Sequence, residues 1–188
     1  MAQAPQPLGA GHPLQGFDCG RPALNDWLVR HARQAQASGS AKTYVVMDEG
    51  RVAGYFSLTI GQIDALDAPE RVRKGMGNYP VPVVILARLA VGLQDQGKGI
   101  GLGMLQDAIA RALTIAEQAG VRALLTHPID DAAARFYLRF GFEASLARVQ
   151  QSLLLLKDAR ILLQAAKPAA PSTAAAAGPA GTSPGPAR

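Results

Sequence analysis

The segment from Val83 to Leu113 admits few folds. It reads Val-Val-Ile-Leu-Ala-Arg-Leu-Ala-Val, then Gly-Leu-Gln-Asp-Gln-Gly-Lys-Gly-Ile-Gly, then an amphipathic run. The first part is short, apolar and rich in branched side chains, which predicts a strand covered on both faces. Leu102, Leu105, Ile109, Leu113 and Ala116 recur at helical steps and share one face, which should pack on the sheet. Between strand and helix, Gln96, Gly97, Lys98, Gly99, Ile100 and Gly101 put glycines where backbone amides leave a helix N-terminus without side chains in the way. Such a turn cradles an anion.

The spacing of these glycines excludes two phosphate-binding classes. From Gly92 the chain reads G-x-x-x-x-G-K, but Gly99 stands where a Ser or Thr hydroxyl would hold magnesium, so nucleotide hydrolysis lacks its metal ligand. Gly97, Gly99, Gly101 and Gly103 alternate with other residues throughout, which breaks the G-x-G-x-x-G dinucleotide fingerprint. A Q-x-x-G-x-G pattern remains, with Gln96, Gly99 and Gly101 in register.

A chain of 188 residues, 48% of them hydrophobic, buries one substantial core. We expect an N-terminal segment over residues 1–13 that adds at best an edge strand at Pro7 to Ala10, one domain over 14–165, and a disordered tail over 166–188. That tail holds nine Ala, five Pro and three Gly, too little apolar surface to order itself. No apolar run is long enough for a bilayer, and the start lacks a basic-then-apolar leader, so a cytoplasmic location is expected. Cys19 is the only cysteine, which leaves neither an internal disulfide nor a thiolate metal cluster. The net charge of +5 favours a polyanionic partner.

Along the chain, Pro22 opens an amphipathic helix with Leu24, Trp27, Leu28, His31, Ala32 and Ala35 on one face and Arg30 and Arg33 on the other. Thr43 to Met47 and Arg51 to Ile60 read as a hairpin, with Val52, Gly54, Phe56, Leu58 and Ile60 facing inward. Residues 62–80 form a long loop carrying Arg71, Arg73 and Lys74. Arg88, inside the apolar strand, needs a carboxylate, a phosphate or water. Val121 to Thr126 is a further strand, Asp130 or Asp131 caps the next helix, and that helix ends at Gly141. Gln151 to Leu156 is a strand and Lys157 to Ala166 a terminal helix.

Two motifs carry a resemblance. The Gln96 to Gly101 turn resembles the acetyl-CoA pyrophosphate loop of the GNAT acetyltransferase superfamily. Ala134-Arg135-Phe136-Tyr137-Leu138-Arg139-Phe140-Gly141-Phe142 resembles the F-Y-x-x-x-G-F pattern of the same superfamily. Further matches at Pro7-Leu8, His12, Phe17-Asp18, Gly20, Leu24, Trp27-Leu28, Ala37-Ser38-Gly39, Thr43 to Val46, Gly54-Tyr55 and Arg88 to Val91 resemble the GNAT toxins of toxin–antitoxin modules. Cys19, where those toxins commonly carry Ser, and the long tail depart from the pattern. The resemblance implies an α/β (α+β) GNAT fold, a mixed central β-sheet splayed around acetyl-CoA with flanking helices.

It further implies acetyl-CoA as co-substrate, no metal, and acetylation of aminoacyl-tRNA, which halts translation. Implied partners are a ribbon-helix-helix antitoxin, operator DNA through the antitoxin complex, and a second copy of the chain. Pyrophosphate would lie on Gln96, Gly97, Lys98, Gly99, Ile100 and Gly101, and pantetheine along Leu89, Ala90 and Val91. Tyr137 stands where the superfamily places its general acid. From charge alone, Arg30, Arg33, Arg71, Arg73 and Lys74 are candidate tRNA contacts, with Arg88 beside them. No carboxylate or histidine stands out as general base, and His127 could act as one or orient one. An α-amine with a reference pKa of about 7.7 to 8.0 needs such a base less than a lysine side chain near 10.4. The alternatives are acetylation of a small amine or a protein N-terminus, and a non-enzymatic acetyl-CoA-binding or antitoxin-binding regulatory module.

Overall fold

The computed structural model describes residues 2–145, 148 and 150–166. Among the described residues the strands are β1 (Gln6–Pro7), β2 (Lys42–Asp48), β3 (Arg51–Ile63), β4 (Val81–Val91), β5 (Ala123–Thr126), β6 (Glu143–Ala144) and β7 (Ser152–Leu155). The α-helices are α1 (Pro22–Asp26), α2 (Ala32–Ser38), α3 (Glu70–Arg73), α4 (Ile100–Gln118), α5 (Asp131–Leu138) and α6 (Leu156–Ala166). The strands make one sheet in the order β1-β2-β3-β4-β5-β7-β6. Every neighbouring pair is antiparallel except β4 and β5, which run parallel and are therefore joined by the long crossover through α4. This mixed sheet with flanking helices is the expected fold. The tail expectation, beyond the helical Ala166, falls outside the described residues.

Both faces of the sheet are covered. On one, Met104, Leu105, Ala108, Ile109 and Ala112 of α4 pack with Phe56, Leu58, Val84, Leu86, Leu124 and Leu154. On the other, Leu28 and Ala32 pack with Val45, Val52, Tyr55 and Ala90. Ala68 and Val72, in and before α3, pack with Val83, Leu125, Leu153 and Leu155 farther along that same side. Part of the expected loop is thus ordered as α3, and the N-terminal edge strand exists but sits earlier than Pro7 to Ala10. It is fixed by Leu8 N–H donating to the Thr43 carbonyl at 2.8 Å and by Arg33 donating to the carbonyls of Ala10 and His12. Helix α6 begins at Leu156, one residue before the expected start, and β5 begins at Ala123.

Four expected positions change, three of them through one residue of phase. A bulge places Val46 opposite Gly54 but Met47 opposite Val52, leaving Ala53 unpaired. Val52 therefore joins Tyr55 on the far face, away from Phe56 and Leu58. Ile60, expected inward, is 60% exposed. A π-helical turn over Trp27–His31 separates α1 from α2, so Leu28 and Ala32 stay buried while His31 turns outward beside Asp26. In α4 the buried stripe centres on Met104 and Ala108, and Leu102 is 37% exposed.

Gly54 sets the distance between sheet and α4. A Cβ there would meet Met104 Cε at 2.9 Å and the Ala90 carbonyl oxygen at 3.0 Å, and the second is backbone that cannot yield. Gly54→Val should cost about 1–3 kcal/mol by overpacking, seen as a lower urea midpoint at unchanged slope.

Candidate active site

The site forms where β4 and β5 part. Pairing runs from Val83 opposite Ala123 to Leu86 opposite Thr126 and then stops, while β4 continues to Val91 against β3 alone. At that point β4 carries a bulge, because Ser57 faces Arg88 while Leu58 faces Leu86, and Ala87 is the extra residue. Regular alternation would aim Arg88 into the α4-facing core with Val84 and Leu86. The bulge sends it to the opposite face instead. There its guanidinium lies 4.0 Å from the Trp27 ring centroid, and Trp27 stacks on the buried Tyr55. Burial pulls the Arg88 pKa below its usual value, and among the described residues no carboxylate pairs with it. Neither a carboxylate nor solvent alone satisfies this charge; an aromatic face does, a cation–π contact that keeps the cation available to a ligand.

Beyond Ala87, the strand edge that β5 leaves open presents backbone groups of Arg88, Leu89, Ala90 and Val91 to a ligand of extended shape. The strand leads to Gly97 and Gly99, with φ of 78° and 82°, and into α4. These angles suit glycine, and nothing stands within 4 Å of either Cβ position, so the turn is open. No side chain caps α4, and its first internal bond is Gly103 N–H to the Gly99 carbonyl at 3.1 Å. The amides of Gly99, Ile100, Gly101 and Leu102 therefore remain for an anion. A cavity of about 310 Å³ borders them, lined by residues 2–5 with Lys98, Gly99 and Ile100. A pyrophosphate fits this donor set, and an acyl-carrying arm fits the free β4 edge. Gln96 does not point at that anion; its amide donates to the carbonyls of Val91, at 3.1 Å, and Cys19, at 3.3 Å, and holds the turn in shape.

Asp95 was not legible as a site residue. It is fully buried and takes Arg51 through both guanidinium nitrogens and Lys98 Nζ at 2.9 Å. The Arg51 hydrogen bonds, with Lys98 behind them, hold its carboxyl well below the usual range, at about 2. Lys98 is thereby engaged by this carboxylate, and the cradle is pinned to β3.

Tyr137 lies on α5, which Asp130 caps by accepting Ala133 N–H at 2.8 Å. Its ring packs on Phe136 and Phe142, and its hydroxyl meets that of Thr126, the last β5 residue paired with β4. Burial raises the phenol pKa, with only partial opposition from Thr126, so the group stays protonated through the neutral range. Cys19 is buried, its thiol 3.0 Å from Asn25 Oδ1, and burial pushes its pKa up, which suits a packed thiol and not a nucleophile.

The expected basic residues separate into two groups. Arg30 pairs with Asp26 at 2.7 Å, Arg33 is spent on the N-terminal carbonyls, and Arg71 is held by Glu143 and Asp158. Arg73 and Lys74 have no side-chain partner among the described residues. Among those residues no group of His, Cys, Asp and Glu could hold a metal, and no helix is long and apolar enough to cross a membrane.

Asp95→Asn should remove two charge-assisted contacts, lower stability by about 2 kcal/mol in urea titration, and weaken anion binding at the cradle. The carboxyl pKa is depressed on folding, so its contribution is complete above the unfolded value near 3.9 and is lost as pH falls toward about 2. Wild type should show this acid loss and Asp95→Asn should lack it, as followed by circular dichroism.

The acetyltransferase (GNAT) domain family matches residues 39–144, from the end of α2 to β6. A tRNA-acetylating toxin of Mycobacterium tuberculosis is 39% identical over 160 residues, spanning 85% of this chain and 96% of that protein. The structure of AtaT complexed with acetyl-methionyl-tRNAfMet superposes with a TM-score of 0.79 at 24% identity, over 86% of this chain and 99% of that one. A mutant AtaT toxin bound to acetyl-CoA and the C-terminus of its antitoxin AtaR superposes with a TM-score of 0.75 at 22% identity, over 87% and 99%. With cradle, open strand edge and buried phenol arranged around one parting of strands, and with these matches, the chain belongs to the GNAT acetyltransferase family.

Proposed function

We propose that this acetyltransferase is the toxin of a toxin–antitoxin module, moving acetyl from acetyl-CoA to the α-amino group of aminoacyl-tRNA and so blocking translation. The observation that carries this reading is the identity to the mycobacterial tRNA-acetylating toxin, which runs across nearly the whole of that protein and far beyond the cradle and Tyr137 motifs. The proposed partners are charged tRNA, a cognate antitoxin that silences the enzyme, and operator DNA through their complex.

Acetyl-CoA supplies the acetyl group as a thioester. The amides of Gly99, Ile100, Gly101 and Leu102 hold its pyrophosphate, and the open edge of Leu89 to Val91 aligns its arm toward the parting of β4 and β5. In the transfer a C–N bond forms and a C–S bond breaks; nitrogen gives up one proton and sulfur gains one. Tyr137 donates a hydrogen bond to the departing sulfur. A thiol has a reference pKa of about 8.5, and the phenol here lies above its own value of 10.0, so full protonation of sulfur by Tyr137 alone runs uphill. Tyr137 therefore stabilises developing charge and relays a proton that the amine ultimately provides. An aminoacyl ester, whose amine is already partly neutral at pH 7, suits a site with no carboxylate base beside Tyr137.

We place the tRNA contact on Arg88 at the cleft and on Arg73 and Lys74 farther along the sheet, with Arg30 at the rim. Among the described residues Arg73, Lys74 and Arg88 have no ion pair to break before they meet phosphate, and Arg30 has only an exposed one with Asp26.

Transfer of labelled acetyl to total charged tRNA, with uncharged tRNA as control, tests the reading. Label should appear on charged tRNA only. Tyr137→Phe should lower kcat about a hundredfold with acetyl-CoA affinity unchanged in calorimetry. The triple change of Arg73, Lys74 and Arg88 to Glu should abolish tRNA labelling and leave acetyl-CoA binding intact. Retained labelling in that variant would move the RNA elsewhere on the surface.

A further inference from the structure

A second cavity opens on the sheet face opposite α4. It measures about 310 Å³ and its walls include Ile85, Leu125, His127, Gln151, Asp64 and Asp67. Ile85 and Leu125 face each other across β4 and β5 one residue before the strands part. His127 follows Thr126, whose hydroxyl touches Tyr137 from the other side. The cavity and Tyr137 thus reach the same parting from opposite faces of the sheet.

Gln151 is the unexplained group in it. The residue is 5% exposed, and its side-chain oxygen is buried with no hydrogen-bond partner. Its amide nitrogen lies 3.4 Å from His127 Nε2. With that nitrogen accepting from the amide, His127 carries its proton on Nδ1, and the amide is turned so that Oε1 is the free end. Gln150 just before it holds φ of 64°, a left-handed conformation that a non-glycine residue adopts at a cost. An orphaned buried oxygen is expensive unless a donor arrives.

The chemistry of the walls defines that donor. Asp64, Asp67 and the Gln151 oxygen are acceptors, and the nearby Arg148 guanidinium is already taken by Asp67 at 2.7 Å. Ile85 and Leu125 make an apolar floor. Such a cavity takes a primary amine carried on a compact apolar body. We propose that this cavity is the acceptor subsite and that Gln151 Oε1 accepts a hydrogen bond from the amine N–H, an inference that rests on the acyl-transfer reading above. A neutral amide suits this role better than a carboxylate would. Arg148, paired with Asp67 and within the field of Asp64, offsets the wall carboxylates, so the Gln151 amide orients the amine and leaves its lone pair free, whereas a further carboxylate there would favour the unreactive ammonium form. His127 is a positioning residue that acts through the Gln151 amide.

The test uses the full chain, with the concentrations of charged tRNA and acetyl-CoA varied separately. Gln151→Leu should raise KM for charged tRNA about tenfold, the worth of one hydrogen bond, with KM for acetyl-CoA and the thermal midpoint unchanged. Gln151→Glu keeps an acceptor oxygen, and should keep KM for charged tRNA while moving the pH profile of kcat/KM about one unit toward alkaline pH. Unchanged acceptor KM in Gln151→Leu, equal losses for both substrates, or an unmoved profile in Gln151→Glu would each overturn the assignment. If wild type labels no charged tRNA, the tRNA reading fails by itself. The same variants are then measured with an amino acid methyl ester as acceptor, and the same KM split decides the subsite.

Discussion

Two parallel strands that stop pairing govern this molecule. Past Leu86 and Thr126, β4 and β5 no longer share hydrogen bonds, and the bulge at Ala87 fixes where that happens. Backbone groups in a protein interior need partners, so a strand edge left open at its centre is tolerated only where a ligand or water satisfies it. Everything with chemical character gathers there. The cradle begins a few residues beyond the end of β4, Tyr137 touches the last β5 residue that still pairs, and Arg88 leaves the core because the bulge reverses its direction.

The cradle is held by a different principle, the burial of one charge with two partners. Asp95 has no exposure, yet it carries its charge because Arg51 and Lys98 close around it. What the buried carboxylate supplies in return is a fixed position for the turn at which the free backbone amides converge. Two polar ties, Gln96 to the Val91 carbonyl and the Gln3 N–H to the Met47 carbonyl, extend that rigidity to the residues bordering the cradle.

What could be read from the sequence was whatever is local. Gly97 and Gly99 announce their turn because glycine suits the left-handed angles there, and the Phe136 to Phe142 segment announces α5 and the tyrosine on it. Phase errors escaped. Ala53 and Ala87 are ordinary small residues, and nothing in their identity says that a strand inserts an extra residue there. The π-turn over Trp27–His31 is silent for the same reason. Pairings between distant residues escaped too. Arg51 and Asp95 are 44 positions apart, and His127 and Gln151 are 24 apart, so neither pair leaves a spacing to recognise. Arg71 illustrates the converse. Its charge suggested RNA, but folding brings Glu143 and Asp158 to it.

The open edge of β4 has a thermodynamic consequence. A ligand that lies along it completes the sheet as an additional, non-peptide strand, and binds only the folded chain. Occupancy therefore adds to folding free energy, by about 2.7 kcal/mol when ligand stands at a hundred times its dissociation constant. A chain whose edge is occupied would then unfold less often than an empty one, so that a ligand of this edge would protect the fold as well as fill the site.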